Sequence, residues 1–340
     1  MYTLGLNVSH DSSIALLKDN QVVLFVCEER VNGKKHFQGI PFNALDLIKN
    51  YTKTIDKVSM IGASRIQSDE ILNILKIQDV KVRSCVHDNL KHHLAHSASA
   101  FYQSGFDEAC VIVIDGAGAI TWLGKQNGQT IKANETTSIY NTLFPDTFNC
   151  IYKKCVAGYY NNVDFNLDDS MLAKLRSQHK IQNIELTKTH DIGWQYYQVT
   201  KSIGFGPTGE GKTMGLSGYG SDANASKEAQ LAYHLQKDFT AQLIKVVEKA
   251  LKKTKTRNLV FGGGCALNIL GNSAVKKHFD SINLFIDPIA SDASIALGGA
   301  GYLYYSTTKN KEKLLFNCYS GPEYKLEKDS IYESARKYTV

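Results

Sequence analysis

No apolar run in this sequence is long enough to span a bilayer, and its start, Met1-Tyr2-Thr3-Leu4-Gly5, lacks the basic segment of a secretory leader. Close cysteine pairs are missing too. The seven cysteines stand at 27, 85, 110, 150, 155, 265 and 318, and no two have the two-residue gap of a zinc knuckle or redox motif. An odd, dispersed set in a chain of 340 residues implies reduced thiols. Together these absences set the expectation of a cytoplasmic protein with no membrane contact, or one of the host cytoplasm if its source is viral. A strong charge of one sign is also lacking. The formal net charge of +6 is compatible with an anionic substrate or polymer and singles out neither. With 43% hydrophobic and 21% charged residues the composition is globular, and the length suits two ordinary domains. Lys, Asn, Ile and Tyr are frequent, the residue bias of an AT-rich genome.

Against this background one stretch stands out, His92-His93-Leu94-Ala95-His96-Ser97-Ala98-Ser99-Ala100-Phe101. On a helix, His92 and His96 lie on one face, a turn apart, and two neutral imidazoles so placed can hold one metal ion. Taken alone, such a pair is more often solvent-facing or part of a core. Ala109 to Gly116 reads as a buried strand ending in Asp115 and a glycine, where the carboxylate can act as a further ligand.

The start reads as strands over 2–8, 12–17 and 22–27, the last two joined by the turn Lys18-Asp19-Asn20-Gln21. A similar order returns with strands over 111–114, 120–123 and 130–134, with small-residue or Asn-containing turns between them. This duplicated pattern predicts an α/β protein of the actin-like, ribonuclease-H-like ATPase architecture, with each first turn facing a shared cleft. The first half is placed at 1–108 and the second at 109–325. An irregular insertion is expected at about 140–190, either part of an acceptor site or a surface excursion. Residues 326–340 are expected to be a tail or the start of a linker. Helices are expected over 42–51, 69–77 and 227–252. In the last, Leu231, Leu235, Phe239, Leu243, Val246 and Ala250 recur at steps of three and four, as core packing requires.

Three small-residue motifs suit ligand contact. Gly206 to Thr213 matches the spacing of a P-loop, but no clear strand precedes it and Pro207 and Glu210 sit inside it. Its glycines and Lys212 still suit phosphate, unless Lys212 is a surface lysine. Residues 258–268 read as strand, glycine turn (Gly262, Gly263, Gly264) and helix start, with free amides for an anion. Residues 284–301 read as strand, loop and small-residue helix, where Asp292 is either a helix N-cap or a ligand.

In this order the motifs resemble the O-carbamoyltransferases of the nodulation-factor and antibiotic-biosynthesis type. The resemblance rests on Asn7-Val8-Ser9-His10-Asp11-Ser12-Ser13, Glu28-Glu29-Arg30, Lys35-His36, Ile40-Pro41, the 92–101 segment, Glu210-Gly211-Lys212 with Met214-Gly215-Leu216, residues 263–268 and the Asp292 segment. It covers about residues 1–325. It implies an actin-like part similar to the tRNA threonylcarbamoyl-transfer protein, with Fe(2+) or a similar divalent metal held by His92, His96, Asp115 and Asp292. It also implies a YrdC-like partner domain or subunit that makes carbamoyladenylate from ATP and carbamoyl phosphate. The Glu-x-Gly-Pro-Arg-Ala-Leu-Gly signature of that partner is absent from this sequence, so this chain alone is expected only to transfer.

On this reading Gly116, Gly211, Lys212, the three glycines at 262–264 and Asn268 hold the adenylate, although Asn268 can instead cap its helix. His10 or Asp11 takes the proton of the attacking hydroxyl, His10 being preferred. The acceptor is a sugar or natural-product hydroxyl, or, given the basic and AT-rich character, a hydroxymethylated base in DNA, which would have to be flipped or single-stranded. The competing expectations are an actin-like small-molecule kinase or ATPase, and a non-catalytic scaffold for the partner domain.

Overall fold

In the first half the computed structural model, which describes residues 1–87, 91–158, 165–206 and 208–322, has strands β1 (Tyr2–Asn7), β2 (Ser13–Lys18) and β3 (Gln21–Cys27), followed by short helices α1 (Glu28–Asn32) and α2 (Phe42–Asp46). Strands β4 (Thr54–Ile55) and β6 (Lys81–Val82) pair with each other, and β5 (Lys57–Ile61), helix α3 (Arg65–Ile77) and β7 (Cys85–His87) complete the half. Helix α3 begins four residues before the expected 69–77, because Ser64 and Gln67 form a reciprocal capping box. The helix expected over 42–51 is α2 continued by a 3-10 turn, Leu47–Asn50. The sheet order is β3-β2-β1-β5-β7, antiparallel for the first three strands and parallel beyond β1.

Helix α4 (His92–Ser104) leads to the second half, with β8 (Glu108–Ile114), β9 (Ile120–Gln126), β10 (Gln129–Leu143) and β11 (Thr147–Ala157). Helix α5 (Asp169–His179), β12 (Ile184–Thr187), and helices α6 (Ile192–Ser202), α7 (Glu210–Leu216) and α8 (Lys227–Thr254) follow, then β13 (Asn258–Gly262), α9 (Ile269–His278), β14 (Asn283–Ile286) and α10 (Ser294–Thr308). Within the second sheet the run β11-β10-β8-β13-β14 repeats the order and the strand senses of the first. This is the duplicated, actin-like architecture. The tail at 326–340 lies outside the described residues, and among those described no helix is long and apolar enough to cross a membrane.

The duplication aligns differently from the sequence pattern. The strand over 120–123 is not the counterpart of β2. It forms a hairpin with the first part of β10, while residues 137–143 of β10 pair with β8. The counterpart of β3 is β11, inside the stretch expected to be irregular. That stretch holds the β10–β11 hairpin, α5 and β12. β10 itself runs past the expected 130–134 to Leu143, and no alternation marks the extension because residues 133–140 are all buried, with both faces covered, while two bulges break the β10–β11 register.

Two helices cross between the halves. α10 packs on β1, β2 and β5 of the first sheet, α4 packs on β8 and β13 of the second, and the two helices pack on each other. Between the sheets they share a core that includes Ala98, Phe101, Val111, Val113, Ala296, Ala300 and Tyr305. Small residues set the spacing. A methyl group on Gly298 would lie 1.9 Å from the Ala95 carbonyl oxygen, and one on Gly5 would lie 1.9 Å from that of Ala296. This close approach brings the N-terminal ends of α4 and α10 to one place.

Candidate metal centre and its cavity

His92 and His96 open α4, and their Nε2 atoms lie 3.2 Å apart. Asp115, just past the end of β8, places Oδ2 3.0 Å from His92 Nε2 and 3.8 Å from His96 Nε2. Asp292, on the loop before α10, places Oδ1 3.5 and 3.4 Å from the same two nitrogens. All four donor atoms lie within 4.8 Å of one another. Metal–ligand bonds of about 2.1 Å put neighbouring donors about 3.0–3.4 Å apart, so the cluster fits one divalent cation after small adjustments. Two imidazoles and two carboxylates are a donor set suited to a first-row metal. His96 is fully buried, and its Nδ1 meets Ser294 Oγ at 3.0 Å, which keeps Nε2 turned to the cluster. The other three side chains are partly exposed, so one side of the cluster opens to a cavity.

The cluster is also electrostatically prepared for positive charge. Burial opposes protonation of His92, but Asp292 and Asp115 outweigh it and push its pKa up to about 9. Burial likewise works against ionised Asp115, yet its hydrogen bond with His92 and the surrounding imidazoles hold its carboxyl well below the usual range. A proton and a cation therefore compete for one place.

A second group faces the same cavity. Asp11 meets His36 Nδ1 at 2.9 Å through Oδ1 and His10 Nδ1 at 3.3 Å through Oδ2. The two imidazoles stack, with centroids 5.5 Å apart. Asp11 lies in the β1–β2 turn at φ 51°, and the turn is held from below by Asn7. The Asn7 amide nitrogen donates to the carbonyls of His10 (2.9 Å), Asp11 (3.2 Å) and Asp292 (3.0 Å), so one buried side chain joins this turn to the Asp292 loop. The His10 pKa is raised, first by its hydrogen bond with Asp11 against the effect of burial. The cavity measures about 750 Å³ and takes in His10, Asp11, His36, Asp115 and Asp292. Part of its lining is aromatic, with Trp194 and Tyr197 of α6 stacked at 5.0 Å. The volume is that of an ordinary small-molecule site.

Gly116, Gly211, Gly264 and Asn268 line this cavity. Gly262 and Gly263 do not, and their local contacts are those of packing. A methyl on Gly262 would meet the His96 carbonyl at 3.1 Å, and one on Gly263, at φ 81°, would meet that of Ile114 at 2.6 Å. Lys212 is exposed and lies 6.0 Å from the Phe205 ring centroid, outside the cavity lining. Asn268 caps α9, accepting from the Gly271 amide, and its amide nitrogen donates to Gln236. Asp292 is not the cap of α10, whose N-cap is Ala293 without a side-chain bond. Asn7 and His36 stand in the sequence only as members of the quoted motifs, with no role assigned to either. A buried-type Asn at a strand end before a His-Asp turn was the one available signal for the first.

A family model described as carbamoyltransferase N-terminus matches residues 43–242 and 222–301. An uncharacterized protein of Synechocystis is 25% identical over 378 aligned positions, covering 95% of this chain and 61% of its own length. An uncharacterized protein of Methanocaldococcus jannaschii is 25% identical, covering 87% of this chain and 56% of its own length. The nodulation protein NolNO of Sinorhizobium fredii is 23% identical, covering 86% of this chain and 46% of its own length. The chain thus spans about half to three fifths of the length of these relatives. Among solved structures, full-length HypF in its phosphate- and nucleotide-bound form is 13% identical with a TM-score of 0.56, over 90% of this chain and 46% of that one. That likeness is one of fold.

Proposed function

The chain belongs to the carbamoyltransferase N-terminus family, and from that premise we propose that it transfers a carbamoyl group from carbamoyladenylate to an acceptor hydroxyl. The observation that carries the reading is that the cluster of His92, His96, Asp115 and Asp292 reaches, through its two carboxylates, the cavity that the His10–Asp11–His36 group also lines. The four-donor cluster would hold Fe(2+) or a similar divalent ion, which when bound supplies Lewis acidity toward a carbonyl or phosphate oxygen.

The chain's own residues supply the rest. On this reading each imidazole of the second group donates its Nδ1–H to the Asp11 carboxylate, which leaves the Nε2 lone pair as the basic atom. His10, the more exposed of the two, takes the proton of the acceptor hydroxyl at Nε2. Asp11 keeps its ring oriented and stabilises the imidazolium that forms. The acceptor oxygen bonds to the carbamoyl carbon as the bond from that carbon to the phosphate oxygen breaks, and AMP leaves. Proton removal of this kind contributes about 10²–10⁴-fold. Gly116, Gly211 and Gly264, which line the cavity, let the donor approach the backbone, and the aromatic residues of α6 suit a planar ring. Carbamoyladenylate would come from a YrdC-like partner using ATP and carbamoyl phosphate. The acceptor would be a sugar or natural-product hydroxyl or a hydroxymethylated base in DNA.

The test supplies the chain with ATP, carbamoyl phosphate and both acceptor classes, with and without a carbamoyladenylate-forming partner, and follows carbamoyl gain by mass spectrometry. Gain only with the partner, lost in His96→Ala, is the expected outcome and names the acceptor class. No gain in any arm, together with ATP consumption by this chain alone, overturns it in favour of a kinase-like activity.

A further inference from the structure

Behind the four-donor cluster lies a second charged group that the proposed chemistry does not use. Glu135 on β10 and Lys153 on β11 form an ion pair, each at most 2% exposed. We propose that this pair is a positioning device for the cation site, clamping the start of α4 to the 115–119 turn so that His92 and Asp115 meet. The inference rests on reading the cluster as a cation site.

The hydrogen bonds run to both segments. Glu135 Oε1 accepts from the backbone amide of His93 at 3.2 Å and from that of Ala119 at 3.2 Å. The first amide belongs to the second residue of α4, directly after His92. The helix needs such a partner, because its N-cap residue, Lys91, gives no side-chain bond. The second amide belongs to the turn that starts at Asp115. The backbone of the same strand ties that turn further, with Gly118 N to Glu135 O at 2.8 Å, Glu135 N to Ala119 O at 3.1 Å and Asp115 N to Thr136 O at 2.9 Å. Lys153 supplies the countercharge and donates to Ser138 Oγ at 2.9 Å, and that hydroxyl meets His93 Nδ1 at 2.8 Å. The turn is pressed onto the group. A methyl on Gly118 would lie 2.6 Å from Glu135 Cγ and 2.7 Å from His93 Nε2.

Stability alone does not account for such a pair. A buried ion pair can usually be exchanged for apolar residues of like volume at little cost, whereas removing one partner is costly. What apolar residues cannot replace is an acceptor that takes one amide from each of two candidate ligand-bearing segments.

The experiment compares two double variants by anaerobic Fe(2+) titration, with circular dichroism and thermal melting of the cation-free proteins. Glu135→Leu/Lys153→Met removes charge and acceptor, and Glu135→Gln/Lys153→Met removes charge and keeps the acceptor. The expected result is a fold-retaining loss of affinity of about 10–100-fold in the first, the range for groups that orient ligands, and recovery toward wild type in the second. Equal, wild-type affinity in both overturns the proposal, and so does equal loss in both. If the leucine variant does not fold, Gly118→Ala carries the test, since it pushes the turn off Glu135. A loss of affinity in that folded variant supports the clamp, and unchanged affinity overturns it. His96→Ala separates the underlying reading. If it binds Fe(2+) as well as wild type, or if wild type binds none, the cation site itself is refuted.

Discussion

After β1 the chain turns through residues 8–12, and after β8 it turns through 115–119. The duplicated fold makes these turns counterparts, and both face one cavity. They are held by different means. The second turn is bonded by its backbone to β10 and by Glu135, and its Asp115 side chain is 13% exposed. The first is tied by its backbone at its two ends, Val8 to Ile61 and Ser12 to Phe37 and Glu28, while its middle is held by the Asn7 side chain, and its His10 side chain is 46% exposed. A cation site needs donors fixed to a few tenths of an ångström. A general base needs an atom that a substrate can reach. On the proposed reading, one topological position, repeated, is equipped once for each task.

Breaking the second turn has the largest expected effect. Asp115→Asn removes an anionic donor and leaves His92 without its closest carboxylate. Cation affinity should fall by more than the about 10–100-fold typical of groups outside the ligand shell, with transfer lost alongside, as titration and product assays would show. Breaking the first turn should leave the cation in place. Asp11→Asn is expected to lower transfer by about 10²–10³-fold at unchanged metal content. The pH profile sharpens the point. The His10 pKa lies above its ordinary value because of Asp11, so the proton-accepting neutral form, and with it the rate, grows as pH rises through that elevated value. In Asp11→Asn the rise should move to lower pH. Removing the support rather than the chemistry comes next. Asn7→Ala strips three carbonyls of their donor and should cost about 1–3 kcal/mol in denaturant unfolding, with a weaker cation site because the Asp292 loop is also released. Smallest is Lys212→Ala, expected to change transfer less than about threefold and stability by less than about 0.5 kcal/mol, since the side chain is exposed and outside the cavity.

The same contrast explains what the sequence made legible. His92 and His96 are readable because four-residue spacing on a helix is a local fact, and Asp115 because a strand end is. Asp292 was undecided locally, since an acid before a helix is a cap as often as a ligand, and only the crossing of α4 and α10 brings it to the histidines. Asn7, His36 and Glu135 act across long sequence separations and leave no periodic trace. Gly262 and Gly263, which lie outside the cavity lining, show the opposite difficulty. A glycine that lets a helix approach a strand looks the same in sequence as one that bares an amide to phosphate. The continuation of β10 past residue 134 is hidden because a strand buried on both faces, with Asn, Glu, Thr and Ser at 134–138, lacks the alternation that marks an ordinary one.

The contact between Gly298 and Ala95 leaves the two crossing helices no slack, and the four donors sit where those helices begin. On the proposed reading of the four-donor cluster, the halves of the molecule are joined both by a permanent seam of small residues and by a seat for a cation. Filling the seat is thermodynamically the same act as fastening the halves. An ion at one hundred times its dissociation constant adds about 2.7 kcal/mol to folding, and a molecule stripped of it should open first along the line between the two sheets.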